Sequence, residues 1–249
     1  MNSLLYYYNN VQKMAAYRQA KRMQRGALTA QGGFSTKVPA LLQVPCTIQC
    51  VFVIRNFDTL QTPFTTTGGS ISPRININPG GRMGISIGLG GITIDSELDK
   101  IYNIVFVVEN NIQKAYLGGD LIASSDKYAL NNLFEYYIGS FENNQDRFQG
   151  DYLLHRHFNY AMSADEVKAL DNNGDPMGYV VPKAKRDGLL AEYLPQNLMY
   201  GRDDKTIATS WLDSAKQLPL SDEYMEPLFQ SIGGYDMAAN GAPEILYNE

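Results

Sequence analysis

The sequence predicts a mainly β body between residues 38 and 174, with a helical arm before it and an irregular extension after it. In the body, apolar and polar residues alternate with a period of two, which is typical of half-buried strands. Pairs of glycine or asparagine separate these segments and favour tight turns. Only one segment of the body carries helix signals, so strands are expected to account for most of its structure.

The alternation is clearest in three segments of the body. Two of them have one apolar face, at residues 47–54 (Ile48, Cys50, Phe52 and Ile54) and at residues 83–89 (Met83, Ile85, Ile87 and Leu89). Residues 102–108 are apolar on both faces, which predicts a central strand. Further strands are expected at residues 112–117, 121–123, 134–140 and 151–159, with turns at residues 88–91, 110–111 and 118–119.

The helix of the body begins at a capping box. Ser163 and Glu166 have the spacing at which each side chain satisfies a free backbone N–H at a helix start. Val167 and Leu170 provide a buried face, and Gly174 stops the pattern. The predicted helix spans residues 164–172.

Charge is unevenly distributed along the chain. The net charge of the 249 residues is −5, but residues 1–37 hold six basic and no acidic residues, which leaves −11 for the remainder. Apolar residues at three- and four-residue spacing predict an amphipathic helix over residues 3–25. We interpret residues 1–37 as an arm that docks on an acidic protein surface, nucleic acid or a membrane; the alternative is a solvated tail. Its docking residues are predicted to be Leu4, Tyr7, Val11, Met14, Lys13, Arg18, Lys21, Arg22 and Arg25.

Residues 175–249 form the third part of the chain. They contain six prolines and only scattered strand-like pieces, such as residues 188–193. Such a segment makes a poor independent core, so we expect an irregular extension that wraps a surface. The only tryptophan, Trp211, lies in this segment, outside the predicted body, and so is not expected to provide a stacking platform for a sugar ring.

Four motifs in the second half of the body follow one another in a characteristic order: residues 114–122 (KAYLGGDLI), 137–140 (YIGS), 147–152 (RFQGDY) and 156–167 (RHFNYAMSADEV). This order resembles the C-terminal half of the laminin G-like, concanavalin A-like lectin/glucanase superfamily, in which a strand runs into an Asn-x-Ala-Leu-Ser-x-x-Glu helix start. The resemblance implies an antiparallel two-sheet jelly-roll β-sandwich over residues 38–174, in agreement with the strand count. Such folds serve as sugar-binding modules, glycosidases, adhesion domains and structural parts of bacteriophage particles, so function has to be argued from sites.

The sequence offers no convincing catalytic pair. Glycosidases of this superfamily carry alternating carboxylates on one strand, because the acid and the nucleophile must project from one face about 5 Å apart. The nearest candidate is Glu97-Leu98-Asp99, which is followed by Lys100 and Ile101 where a further carboxylate is needed. We therefore predict no catalytic residue, no enzymatic activity and no cofactor.

His155 and His157 are the only histidines, and the resemblance implies apolar residues at these two positions. In a strand they would share one face about 7 Å apart, which is compatible with a shared metal. No third ligand has a suitable spacing, so the sequence favours hydrogen-bonded or interface histidines. Cys46 and Cys50 would be about 13 Å apart in a strand, too far for a disulfide, and are predicted to be small core residues.

These observations favour a non-enzymatic structural protein of a bacteriophage virion, made in the host cytoplasm: a head or tail appendage, fibre, decoration protein or adaptor. In this hypothesis the arm and the extension bind other virion proteins, several copies assemble, and a host surface glycan is a further partner. The alternative is a carbohydrate-binding lectin-like module, and a glycosidase is least favoured. The acidic body argues against nucleic acid, and the chain has no apolar run long enough to span a membrane.

Overall fold

The structure is a computed structural model that describes residues 27–29, 36–67, 73–109, 112–126, 134–141, 145–200, 208–213, 237–238 and 244–246. Its strands are β1 (Ala27–Thr29), β2 (Thr36–Leu42), β3 (Cys46–Ile54), β4 (Gln61–Thr66), β5 (Arg74–Asn78), β6 (Arg82–Ile87), β7 (Gly90–Asp95), β8 (Ile101–Glu109), β9 (Ile112–Leu117), β10 (Asp120–Ser125), β11 (Phe134–Ile138), β12 (Gly150–Phe158), β13 (Leu189–Tyr200), β14 (Ala208–Asp213), β15 (Met237–Ala238) and β16 (Glu244–Leu246). One α-helix, α1 (Ala164–Asp171), and a 3-10 helix, Lys183–Gly188, complete the described elements.

The strands form two antiparallel sheets. The larger sheet has the order β10-β9-β8-β3-β12-β13-β14-β15, and β1 joins it by pairing with β12 and β16. The smaller sheet has the order β2-β11-β4-β5-β6-β7. Buried apolar side chains from both sheets form one core between them. The predicted two-sheet antiparallel β-sandwich is confirmed.

The inner faces of the strands follow the sequence pattern with one exception. The four apolar residues predicted to share a face of β3 all lie in the inter-sheet core, and β8 is buried on both faces as expected of a central strand. The exception is Leu89, which is 60% exposed. Gly88 has a φ of 53°, so the chain turns immediately after Ile87 and Leu89 lies in the hairpin turn.

Helix α1 confirms the predicted helix, with its end at Asp171. Ser163 caps it, with both hydrogen bonds of the capping box present. Val167 and Leu170 pack on the outer face of the larger sheet in a second apolar cluster with Val105 and Val107. No helix in the described part of the chain has the length and apolar character needed to cross a membrane.

The C-terminal extension is more regular than the sequence predicts, because β13, β14, β15 and β16 all join the larger sheet. β13 contains Pro195, and its pairing with β14 shifts register between Tyr193 and Leu198. Such an irregularity accommodates a residue without a backbone N–H. Trp211 lies on β14, so the expectation that it falls outside the sandwich is wrong. At the other end, β1 and the first residues of β2 lie in the segment that we assigned to the arm.

A ladder of buried polar side chains crosses the outer face of the larger sheet. Asn103 on β8 accepts a hydrogen bond from Gln49 on β3 at 3.0 Å, and Gln49 accepts one from Arg156 on β12 at 3.2 Å. Arg156 in turn donates to Glu192 on β13 at 2.8 Å, while Asn103 donates to Asp171 of α1 at 2.9 Å. The ladder therefore links four strands and the helix, and it includes β13 in the body of the fold.

Candidate functional site

Connections between strands of both sheets meet at one end of the sandwich. The backbone N–H of Asp99 donates to the carbonyl oxygen of Ile54 at 3.0 Å, and that of Ser96 donates to Gly81 at 2.7 Å. These bonds connect loops that are far apart in sequence. We call this surface the loop face and define it as residues 55–61, 79–82, 95–101 and 145–151.

Arg55 is the central charged group of the loop face. Its Nε donates to Oδ2 of Asp151 at 2.7 Å, its Nη2 contacts the same oxygen, and its Nη1 donates to Oδ1 of Asp99 at 2.5 Å. Partial burial opposes the charge on Arg55, but the two carboxylates outweigh it and raise the pKa of the guanidinium above its ordinary value. Arg55 thus holds Asp99, which is exposed, in a fixed position against Asp151, which is buried.

A group of three amide side chains lies beside this ion-pair network. Asn56 donates from Nδ2 to Oε1 of Gln149 at 3.1 Å, and Gln61 donates from Nε2 to Oδ1 of Asn56 at 3.1 Å. The backbone N–H of Gln149 donates to Oε1 of Gln61 at 2.8 Å. Within the described residues, Nε2 of Gln149 makes no hydrogen bond and Nδ2 of Asn56 makes only one. The group is therefore fixed in position and retains N–H donors for a ligand.

Apolar side chains belong to the same loops as these polar groups. Leu60, Leu98 and Ile101 are 38%, 45% and 51% exposed. Phe57 is half-buried and packs against Gly81, where an added Cβ would lie 3.1 Å from Cε2 of the ring. Gly81 also has a φ of 85°, so both the backbone and the close approach of the ring favour glycine at this position. The loop face thus combines fixed polar groups with apolar surface.

Two non-glycine residues of the loop face have left-handed backbone conformations. Asp99 has a φ of 61° and Asp146 a φ of 48°. Such conformations cost on the order of 1 kcal/mol each and persist where the surrounding contacts fix them. In Asp99 this conformation accompanies the side-chain contact with Arg55, which supports a functional interpretation of the loop face.

The carboxylates considered for glycosidase chemistry lie on this surface, but not as an acid–nucleophile pair on a strand. Glu97 and Asp99 are in the connection between β7 and β8, and both are exposed. Oε1 of Glu97 accepts from Nζ of Lys100 at 2.6 Å, while Asp99 pairs with Arg55. A glycosidase needs an acid and a nucleophile on either side of one scissile bond, whereas these two carboxylates are each paired with a different cation.

The histidine pair lies in the core, away from the loop face. His155 and His157 on β12 are both fully buried between the sheets. The hydroxyl of Tyr136, from β11 of the smaller sheet, lies 3.4 Å from Nε2 of His155 and 3.3 Å from Nδ1 of His157. Nδ1 of His155 lies 3.8 Å from Sγ of Cys50. One tyrosine therefore bridges both histidines across the two sheets.

The tautomers of the two rings follow from the single proton of the Tyr136 hydroxyl. Nε2 of His157 is buried without a hydrogen-bond partner among the described residues. Burying an acceptor without a partner is tolerated more often than burying an N–H donor, so we assign the proton of His157 to Nδ1, which donates to Tyr136. Tyr136 then donates to Nε2 of His155, and Nδ1–H of His155 faces the thiol of Cys50.

Burial lowers the pKa of His157 from 6.5 to about 3. Burial also lowers the pKa of His155 well below 6.5, and the electrostatic effect of the neighbouring His157 lowers it further. Both rings are therefore neutral near pH 7. In the described part of the chain, no three side chains of the metal-binding types come together. Cys46 and Cys50 are buried free thiols, as predicted.

The predicted docking residues of the arm lie outside the described residues. They are Leu4, Tyr7, Val11, Met14, Lys13, Arg18, Lys21, Arg22 and Arg25. The sequence also did not indicate the loop face. Asn56, Gln61 and Gln149 have no common motif and come together only through tertiary contacts. The one local signal was the polar stretch between two predicted strands at residues 55–61.

Comparison with known proteins confirms the fold class. Neither a protein-family model nor a curated protein sequence matches the chain. A "putative carbohydrate binding protein" from Bacteroides ovatus ATCC 8483 matches in structure with a TM-score of 0.61 and 16% sequence identity, over 90% of this chain and 60% of that one. The chain therefore spans about three fifths of the length of this protein. At this identity the likeness shows a shared fold, so the protein is a two-sheet antiparallel β-sandwich of the jelly-roll class.

Two further structures match with lower scores. A heptameric SAP-like pentraxin from Limulus polyphemus has a TM-score of 0.42 and 13% identity, over 59% of this chain and 80% of that one. The CBM40 of the Ruminococcus gnavus IT-sialidase, bound to α2,3-sialyllactose, has a TM-score of 0.43 and 16% identity, over 59% of this chain and 96% of that one.

Proposed function

We propose that the protein is a non-catalytic carbohydrate-binding module and that its loop face binds the glycan. Two findings support the proposal. The Bacteroides ovatus protein that shares the fold is named for carbohydrate binding. The loop face offers fixed amide and carboxylate groups next to exposed apolar side chains, which is the combination that a sugar needs.

The chemistry of the surface matches that of a sugar ring. A hydroxyl group both donates and accepts a hydrogen bond, so it is best held between an N–H donor and a carboxylate acceptor. The amides of Asn56 and Gln149 provide donors, and the exposed carboxylate of Asp99 provides an acceptor. Leu98 and Ile101 provide apolar surface for the C–H groups of the ring.

The observation that carries the proposal is the fixed position of Gln149. Its side-chain oxygen is occupied by Asn56 and its backbone N–H by Gln61, while its side-chain nitrogen makes no hydrogen bond within the described residues. A group held in this way loses little conformational freedom when it binds a ligand. It is therefore a suitable donor to a sugar hydroxyl.

The test is binding of the full chain to a glycan array, with follow-up by calorimetry on the strongest neutral oligosaccharide. Gln149→Ala is expected to weaken binding about tenfold, the value of one hydrogen bond of about 1.4 kcal/mol. Gln43→Ala is the matched control, because Gln43 is an exposed glutamine that precedes β3 at the opposite end of the strand from Arg55. Equal binding by both variants, or no binding to any glycan by the wild-type protein, would contradict the proposal.

The proposal includes the absence of glycan hydrolysis, because Glu97 and Asp99 are each paired with a separate cation and do not form an acid–nucleophile pair on one strand. Incubation of the bound glycan with the protein should release no reducing ends. The bacteriophage virion role stays a prediction. It assigned attachment to both the N-terminal arm and the C-terminal extension; the docking residues of the arm lie outside the described residues, and no finding favours virion partners or a virion location.

A further inference from the structure

The net charge of the loop face indicates which class of sugar it binds. The loop face contains four basic residues and six acidic residues, a net charge of −2 among its described residues. The basic residues are Arg55, Arg82, Lys100 and Arg147. The acidic residues are Asp58, Asp95, Glu97, Asp99, Asp146 and Asp151. A surface with this sign repels a carboxylate ligand.

The cation best suited to bind a carboxylate is already occupied. Arg55 is the residue type that recognises carboxylates through two parallel hydrogen bonds. Here its Nε and Nη2 contact Asp151 and its Nη1 contacts Asp99. Asp151 is only 3% exposed. Turning the guanidinium towards a ligand would break the ion pair of this buried carboxylate with Arg55, and breaking a buried ion pair is costly.

Two of the other cations are also placed against carboxylates. Lys100 forms an ion pair with Glu97 at 2.6 Å. Arg82 lies directly opposite Asp95 in the register of β6 and β7, so the two residues are cross-strand neighbours on the same face of the sheet. Among the four basic residues of the loop face, Arg55 and Lys100 are thus ion-paired with its own carboxylates, and Arg82 lies beside one.

From this arrangement we infer that the loop face selects neutral sugars and discriminates against acidic sugars such as uronic acids. The inference rests on the proposed function and specifies its ligand class. Asp99 is the principal discriminating residue, because its side chain is 71% exposed and it is held on the loop face by Arg55. Neutral hydroxyl groups can use Asp99 as an acceptor, whereas a carboxylate placed near it is repelled.

The test compares oligosaccharides of the same linkage that differ only in oxidation at C6: α-1,4-linked galactose with α-1,4-linked galacturonic acid hexamers, and β-1,4-linked mannose with β-1,4-linked mannuronic acid hexamers. Calorimetry on the full chain at low ionic strength is expected to show at least tenfold tighter binding of the neutral member of whichever pair binds. Asp99→Asn is expected to reduce this ratio to about threefold or less. The substitution removes a negative charge and frees Nη1 of Arg55, and asparagine tolerates the left-handed backbone of this position.

Asp120→Asn is the matched control, because Asp120 is exposed at the start of β10, outside the loop face. It should leave the ratio unchanged. Equal or tighter binding of the acidic hexamer by the wild-type protein, with binding still weakened by Gln149→Ala, would overturn the selectivity and leave glycan binding intact. Failure of the wild-type protein to bind any hexamer or any glycan on the array would overturn both proposals.

Discussion

Lowering the pH from 7 to 5 is expected to destabilise the protein through His157. In the folded state, burial between the sheets lowers the pKa of this histidine to about 3, so the ring remains neutral at pH 5. In the unfolded state the ring titrates near its ordinary value of 6.5 and is protonated at pH 5. The unfolded state therefore binds more protons in this range, and the free energy of unfolding falls as the pH falls below 6.5.

The size of the loss in the free energy of unfolding follows from how far the pH lies below 6.5, the ordinary pKa of histidine. Each pH unit below 6.5 costs about 1.4 kcal/mol as long as the folded ring stays neutral, so His157 alone removes about 2 kcal/mol at pH 5. His155 shifts in the same direction and adds to the loss. The loss is a substantial part of the 5–15 kcal/mol that is typical of a folded domain.

The assay is urea unfolding followed by circular dichroism at pH 7 and pH 5, for the wild-type protein and for His157→Gln. Glutamine keeps a polar side chain near Tyr136 but does not titrate, so the variant should lose about 2 kcal/mol less than the wild-type protein between the two pH values. The comparison cancels the contribution of groups that both proteins share. An equal loss in the two proteins would refute the argument that His157 is buried in its neutral form.

Two further substitutions test packing and charge. Glu192→Ala should destabilise the protein by about 3–5 kcal/mol in urea unfolding, because it removes the ion-pair partner of the buried Arg156; a loss below 1 kcal/mol, the value of an exposed pair, would contradict burial of this ion pair. Gly81→Ala should lower the melting temperature more than Gly80→Ala. Both glycines have a positive φ, but only Gly81 lies against the ring of Phe57, and equal shifts in differential scanning calorimetry would show that the ring contact is unimportant.

The strands and the helix could be predicted because their signals are local. Alternation over a few residues identifies β3 and β8. The capping box identifies the start of α1 from four neighbouring residues. The predictions for Leu89 and for β13 failed because a glycine or a proline interrupted the alternation of apolar and polar residues. Gly88 turned the chain one residue before Leu89 could join the core, and Pro195 concealed the long strand β13.

The candidate site could not be predicted because its contacts join distant parts of the chain. Asn56 and Gln149 are 93 positions apart, and Arg55 and Asp151 are 96 apart. The sequence shows that each is polar and lies near a strand end, but not that they meet. The same limit applies to the histidines. The two-residue spacing placed His155 and His157 on one face, but Tyr136 comes from the other sheet.

The pairing of β12 determines which fragments of the chain can be produced in soluble form. One side of β12 pairs with β3, and its other side pairs with β13 at residues 155–158 and with β1 at residues 151–152. A fragment that ends after α1 keeps every residue of the loop face but leaves residues 155–158 of this central strand without their partners on β13. Exposed strand edges of this kind lead to aggregation. The edge at residues 155–158 is covered only when the chain extends to residue 193, so an expressed fragment has to reach at least that residue.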